Sequence, residues 1–311
     1  MKKFKEILVL ALLIINCGIS VLGQNLPLPS ANAMNFIVIS DHGRNGYYNQ
    51  KEVADMMARV AVECKVRFYV TGGDNFQVSG VQSTQDPLWM SSFENVYTHP
   101  SSHYEWYPAF GNHDHGGSTQ AQIDYSNVSR RWKMPANYYT LVKTRDSVSV
   151  RLVILDTTPL MSAFESSASG ASLKDAGRQL AWVDSVLSVS AEDWTVVVGH
   201  HPMYSAHATR GNSIPLVEHL KPILDKHKVD FFIGAHDHIF QHMKDSTSKL
   251  DYFVNTAASE VRPVATNNMT VYAASSPGFS ICSATKSSLS MYFININGEA
   301  IYRYVRQKKY Q

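Results

Sequence analysis

Five short segments bring acids, amides and imidazoles together beside glycine. They are Asp41-His42-Gly43, Gly72-Gly73-Asp74-Asn75, Gly111-Asn112-His113-Asp114, Gly199-His200-His201-Pro202 and Gly234-Ala235-His236-Asp237-His238. Of the 13 histidines, eight lie in or next to these blocks: His42, His113, His115, His200, His201, His207, His236 and His238. A lone histidine is more often a cap or a surface residue, but several independent blocks that agree need another reason. Carboxylates, an amide oxygen and imidazoles are borderline-hard ligands that suit zinc, iron or manganese better than calcium or magnesium. One carboxylate can bridge two such ions about 3.5–4 Å apart; the pair then acidifies a shared water, binds a phosphoryl oxygen and neutralises developing charge. Asp74 is the candidate bridge.

The elements before each block explain how they could meet. Phe36 to Ser40, Arg67 to Thr71, Trp106 to Phe110, Thr195 to Val198 and Val229 to Ile233 are short apolar runs that read as buried strands. Each runs directly into one of the five blocks. Ligand sites of α/β sheets assemble at such strand C-termini, and glycine there lets the chain turn sharply and a ligand approach closely. Between the strands, about Lys51 to Cys64, Lys174 to Leu187 and Pro215 to His227 read as helices. Asn49 and Glu52 predict a capping box for the first of these. After about Leu250 the pattern is mostly β, with a hairpin around Asn297-Gly298. Alternating strands and helices predict an α/β architecture. Ser162 to Ser172 is small, polar and aperiodic, and reads as an exposed, nickable loop.

Composition excludes several classes. Lys2, Lys3 and Lys5, the apolar run Ile7 to Ile15 and the sequence Val21-Leu22-Gly23 read as an export signal over 1–23, so a periplasmic or secreted protein is expected. Asn16 and Ser20 interrupt the run, which argues against a transmembrane span. Cys17 follows a poor lipid-attachment box, so a lipid anchor there stays open as a weak alternative. Loss of 1–23 removes three lysines and Glu6, leaving 25 basic and 25 acidic residues of the original 28 and 26. A neutral chain without basic runs lacks the electrostatic footprint of a nucleic-acid binder. One catalytic domain is expected over 34–305, with 306–311 as a solvated basic tail. Cys64 and Cys282 remain after export, either as a disulfide or as two buried thiols.

The blocks resemble the calcineurin-like metallophosphoesterase superfamily: Asp41-x-Gly43, Gly73-Asp74, Gly111-Asn112-His113, Gly199-His200 and His236-x-His238. Asp-x-Gly in the first block is similar to purple acid phosphatases. Gly73 to Phe76, Gly111 to His115, Ala121 to Trp132 and His227 to His238 resemble the small, tartrate-resistant type. That likeness spans about Asn35 to Tyr304. It implies a four-layer αββα sandwich, two facing mixed sheets flanked by helices. It also implies two metal ions, iron with iron, zinc or manganese. Asp41, Asp74 and His238 would hold the first, and Asp74, Asn112, His200 and His236 the second. His113 would contact phosphate and assist the leaving group, and His207 matches a second active-site histidine at a shorter spacing. The implied activity is hydrolysis of phosphate monoesters by a metal-bound hydroxide, in a monomer acting on small phosphorylated substrates.

Two departures stand out. The family's Gly-Asp-x-x-Tyr places on the first metal a tyrosine that gives a ferric centre its purple colour; here the position is Gln77. The family's usual Trp in the first block is His42, which is not counted as a ligand, and His115 and His201 are taken as surrounding groups. By resemblance the Ser162–Ser172 loop corresponds to a protease-sensitive loop over the site, although an ordinary surface loop explains it as well. Two rival readings stay open: a phosphodiesterase or nucleotidase on the same scaffold, and a non-catalytic metal- or phosphate-binding homologue, for which Gln77 is the argument.

Overall fold

The computed structural model describes residues 26–164 and 170–308. The expected export signal over 1–23, with Cys17, lies outside the described residues. Thirteen strands run in chain order: β1 Met34–Ile39, β2 Phe68–Thr71, β3 Glu105–Pro108, β4 Tyr139–Arg145, β5 Val148–Ile154, β6 Trp194–Val198 and β7 Phe231–Gly234. They continue with β8 Phe240–Lys244, β9 Asp251–Val254, β10 Thr270–Ala274, β11 Gly278–Ala284, β12 Ser288–Asn295 and β13 Ala300–Gln307. The α-helices are α1 Gln50–Glu63, α2 Thr119–Asp124, α3 Thr157–Ala163, α4 Gly170–Ser188 and α5 Lys221–Lys226.

The strands form two mixed sheets, ordered β13-β12-β11-β1-β2-β3 and β10-β8-β9-β7-β6-β5-β4. Side chains alternate across the second sheet with the period of two that a strand imposes. Leu152, Ile154, Val196, Val198, Phe231 and Ile233 face the core shared with the first sheet. Val153, Leu155, Val197 and Phe232 face a second core under Leu160, Ala176, Val183, Leu187 and Leu224 of α3, α4 and α5. Helix α1 packs Val53, Met57 and Val60 onto the first sheet. The layers are therefore helix, sheet, sheet, helix, as the resemblance implied. Parallel pairing joins β1, β2 and β3 in one sheet and β5, β6, β7 and β9 in the other. Their C-terminal ends carry all five blocks.

Several local expectations are corrected. Asn49 precedes α1 but makes no side-chain cap; its amide donates to the Ser259 carbonyl at 2.9 Å, so a tertiary partner replaces the capping box. The polar loop is shorter than its sequence suggested: α3 runs through Ala163 and α4 begins at Gly170, and 165–169 lie outside the described residues. Of the basic end, residues 306–308 are not a free tail. Arg306 and Gln307 complete β13, Arg306 pairs with the buried Asp251, and Lys308 Nζ lies 2.9 Å from Asp193. Cys64 and Cys282 are buried free thiols. Among the described residues no helix is long and apolar enough to cross a membrane.

Candidate metal centre

Sharp turns at the strand ends aim the ligand side chains. Asp41, Asp74, His236 and His238 all sit in the left-handed region, at φ 51°, 51°, 66° and 59°. Such a conformation costs an L-residue on the order of 1–3 kcal/mol and persists only where its surroundings hold it. Here they do. The Asp41 N–H donates to the Gly73 carbonyl at 3.0 Å, and Ser259 Oγ donates to the Asp41 carbonyl at 2.5 Å. The Arg262 N–H donates to the His238 carbonyl at 3.1 Å. Asp114, fully buried, accepts from the backbone of Gly111, Asn75 and Phe76 and so clamps two of the blocks together.

The donors of five strand ends converge. Ligand atoms of Asp41, Asp74 and His200 lie within 4.8 Å of one another, all buried. His200 Nε2 is 3.4 Å from Asp74 Oδ1, 3.1 Å from Asn112 Oδ1 and 3.0 Å from His236 Nδ1. His238 Nε2 is 3.3 Å from Asp41 Oδ1. Outer partners fix the ring orientations: His200 Nδ1 lies 2.9 Å from the Gly72 carbonyl, and His238 Nδ1 2.6 Å from that of Glu260. A carbonyl can only accept, so each Nδ1 carries the proton and each Nε2 offers a lone pair to the centre.

This donor set fits cations. The His200 lone pair meets the oxygens of Asn112 and Asp74, acceptor against acceptor. Asp41 Oδ1 and Gln77 Oε1 are buried without a hydrogen-bond partner. Leaving such oxygens unpaired is expensive unless a positive charge sits between them. Titration behaviour reflects the same negative well. Burial works against a charged His200, but the carboxylates of Asp74 and Asp41 outweigh it and raise its pKa. Burial would raise the Asp41 pKa, yet the neighbouring His238 and His200 hold it at about 2. Burial and then the neighbouring His200 charge push His236 far down, which keeps it neutral as a ligand must be.

His113 sits at the rim. Its N–H donates to Asp74 Oδ1 at 3.0 Å, its Nδ1 lies 3.2 Å from the Val78 carbonyl, and its Nε2 points inward, 3.9 Å from Asp74 Oδ2. Gln77 lies beside Asp74, its Nε2 3.4 Å from Oδ2. His42 faces away, edge-on to Tyr97 at 5.6 Å and near Trp106, where burial pushes its pKa down to about 4. It occupies an aromatic position, consistent with the Trp usual in related sequences. His115 binds Asp156 at 3.0 Å and His201 binds Thr157 at 2.9 Å, one layer out.

His207 stands within electrostatic reach of Asp237 and His238, but without a direct bond to a ligand. No hydrogen bond or ion pair joins it to any of the six; its Nδ1 accepts from Thr209 N–H at 3.2 Å and its Nε2 is buried without a partner. Sequence reasoning missed Arg210 and Arg262, whose Nη1 atoms donate to the His236 carbonyl at 2.8 and 3.1 Å. Nothing in the block pattern marks them, since each comes from a loop outside it.

The comparisons agree with this geometry. The family described as calcineurin-like phosphoesterase matches residues 34–240. Purple acid phosphatase 4 of Arabidopsis thaliana is 32% identical over 92% of this chain and 86% of its own. The chain belongs to the calcineurin-like phosphoesterases, on their purple acid phosphatase branch. Tartrate-resistant acid phosphatase type 5 of Sus scrofa is 30% identical over 87% of this chain and 86% of its own. Among solved structures, GAP50, described as the anchor in the inner membrane complex of Plasmodium, superposes with a TM-score of 0.79. It covers 89% of this chain and 90% of its own at 24% identity, which shows the shared fold.

Two glycines in this phosphoesterase are required by close approach. A Cβ on Gly111 would lie 2.2 Å from Asp74 Oδ1, and Gly73, at φ +88°, would drive one to within 2.7 Å of the Gly111 nitrogen. Gly111→Ala is therefore expected to push Asp74 aside and lower metal affinity by about 10- to 100-fold, the scale seen when groups supporting a ligand are lost. Metal titration of the apo-protein checks it; wild-type affinity in the variant would mean that Asp74 does not hold metal.

Proposed function

We propose that this phosphoesterase hydrolyses phosphate monoesters at a two-metal centre. The observation that carries the reading is the convergence of Asp41, Asp74, Asn112, His200, His236 and His238 with lone pairs facing one another and one carboxylate oxygen unpaired. Asp41, Asp74 and His238 would hold the first ion and Asp74, Asn112, His200 and His236 the second; iron with iron, zinc or manganese suits these donors. When bound, the ions supply an acidified water as nucleophile and neutralise phosphoryl charge.

The chain's own residues do the rest. The Asn112 amide and the His113 ring stand where a phosphate would enter and orient it. His113, held through Nδ1–H by the Val78 carbonyl, presents Nε2 to the departing oxygen and, in its imidazolium form, gives up the Nε2 proton to it and becomes neutral. His207 lies near Asp237 and His238 without a hydrogen bond to any ligand, and no step is assigned to it. The relatives' names, purple and tartrate-resistant acid phosphatases, support a monoesterase over a diesterase. An exported protein is the reading that the N-terminal sequence supports.

The test is phosphate release from an aryl monoester by metal-free protein and after addition of iron, zinc or manganese. Metal-dependent release is expected. Folded, metal-loaded protein that releases nothing from monoesters, diesters or nucleotides would overturn the reading in favour of a binding role; faster diester turnover would favour the phosphodiesterase.

Gln77 makes a separate prediction. With no phenolate among the ligands, iron-loaded protein is expected to lack a strong visible charge-transfer band, and Gln77→Tyr to create one. An intense visible band in wild-type protein would mean that another tyrosine reaches the metal.

A further inference from the structure

Two guanidinium groups meet on one carbonyl at the edge of the candidate centre. Arg210 comes from the segment after β6, and Arg262 from the segment after β9. Both donate through Nη1 to the carbonyl of His236, itself a candidate ligand. The backbone of Arg262 is tied to the next ligand, His238. The pair is therefore fixed to the metal-binding block and cannot drift from it without moving ligands.

Their charges are only half answered. Asp237, buried, lies 3.4 Å from Arg210 Nη1, but its other oxygen is occupied by Ser205 Oγ. Glu260, the other nearby carboxylate, pairs with Arg44 at 3.1 Å. Among the described residues Asp237 alone forms an ion pair with either guanidinium, while Asp41 and Glu260 also lie near Arg262. Among the described residues, the Nε and Nη2 atoms of both arginines make no hydrogen bond to protein. Arg210 is a third exposed and Arg262 half-buried, so both side chains keep contact with solvent beside the candidate ligands. Two like charges held on one carbonyl repel. An anion between them relieves that repulsion, and planar forks suit carboxylate and phosphate oxygens.

We propose that Arg210 and Arg262 form an anion subsite beside the metal centre, selecting phosphate esters whose leaving group carries a second anion, a carboxylate or a phosphate. The inference rests on the monoesterase reading and specifies its substrate class. The two cations bind the part of the substrate that departs, so their effect falls on KM more than on kcat.

The test uses the full chain loaded with metal and two matched substrate pairs. One is glycerol phosphate against phosphoglycerate; the other is a hexose monophosphate against the hexose bisphosphate. A kcat/KM preference of about tenfold or more for the doubly anionic member is expected, the scale of one charge-assisted hydrogen bond. Preference in only one pair names the anion. Arg210→Met and Arg262→Met should each shrink the ratio through KM, and Arg210→Lys should restore part of it. Calorimetric binding of carboxyethylphosphonate against ethylphosphonate gives a readout independent of turnover. If no ester is hydrolysed but the carboxylate-bearing phosphonate binds more tightly, and the arginine variants lose that gain, the subsite stands and the monoesterase reading falls. Equal handling of both members by wild-type protein, in rate and in binding, overturns the subsite, as does a preference that survives both substitutions. Should Arg262→Met fail to fold, the more exposed Arg210→Met decides.

Discussion

Asp74→Asn is expected to leave a folded protein that neither binds the proposed metals nor turns over substrate. Asn keeps the shape of Asp and one oxygen, so the hydrogen bond from His113 N–H to Oδ1 at 3.0 Å survives. What is lost is the charge that both proposed ions share. Turnover is expected to fall by about 1,000-fold or more, at least the effect of deleting one preorganised charge-stabilising group. Stability should move the other way in metal-free protein. Asp74 lies in a well with buried Asp41, and two carboxylates kept close repel when no cation separates them. The metal-free variant should therefore melt no lower than metal-free wild type, while the stabilisation that metal gives wild type disappears. Elemental analysis with thermal unfolding checks both halves. Wild-type metal content in the variant would remove Asp74 from the bridge.

His113→Ala is expected to lower kcat by about 100- to 10,000-fold, the range for loss of a positioned general acid, with metal content unchanged. The ring is partly open to solvent and its nearest approach to a ligand is 3.9 Å, from Nε2 to Asp74 Oδ2, which suits a group that meets substrate. The defect should depend on the leaving group. An activated aryl oxide departs without a proton, so the variant should lose least there and most on alkyl phosphates. An equal loss on both would mean that His113 binds phosphate without moving a proton, and loss of metal would make it a ligand.

Most of the fold and the centre could be read from the sequence because the same residues carry both signals. Apolar strands that end in Gly, Asp, Asn and His announce a sheet and the side chains at its edge together. The rest depended on partners that have no residue-type signature. The groups that orient His200 and His238 are backbone carbonyls of Gly72 and Glu260. Asn49 looked like a helix cap, but a carbonyl 210 residues away competes for its amide. Arg306 looked like tail because nothing local predicts that β13 would bring it to Asp251. His207 carried the expected residue type at a shortened spacing, and it lies near Asp237 and His238 without bonding to a ligand. Arg210 and Arg262 lie far apart in sequence and meet only because two segments fold over His236.

The position of β1 sets a timetable for maturation. It is flanked by β2 on one side and by β11 on the other, with Met34 opposite Ala284. A chain emerging N-terminus first presents Asp41, then Asp74, long before the strand that completes their sheet has been made. Pairings of such sequence separation form late and slowly. On the two-metal reading, the sheet that carries Asp41 and Asp74 would be complete only once almost the whole chain has been made. Any ions taken up then would be those of the compartment where β11 to β13 emerge, whatever the supply where the first ligands were synthesised.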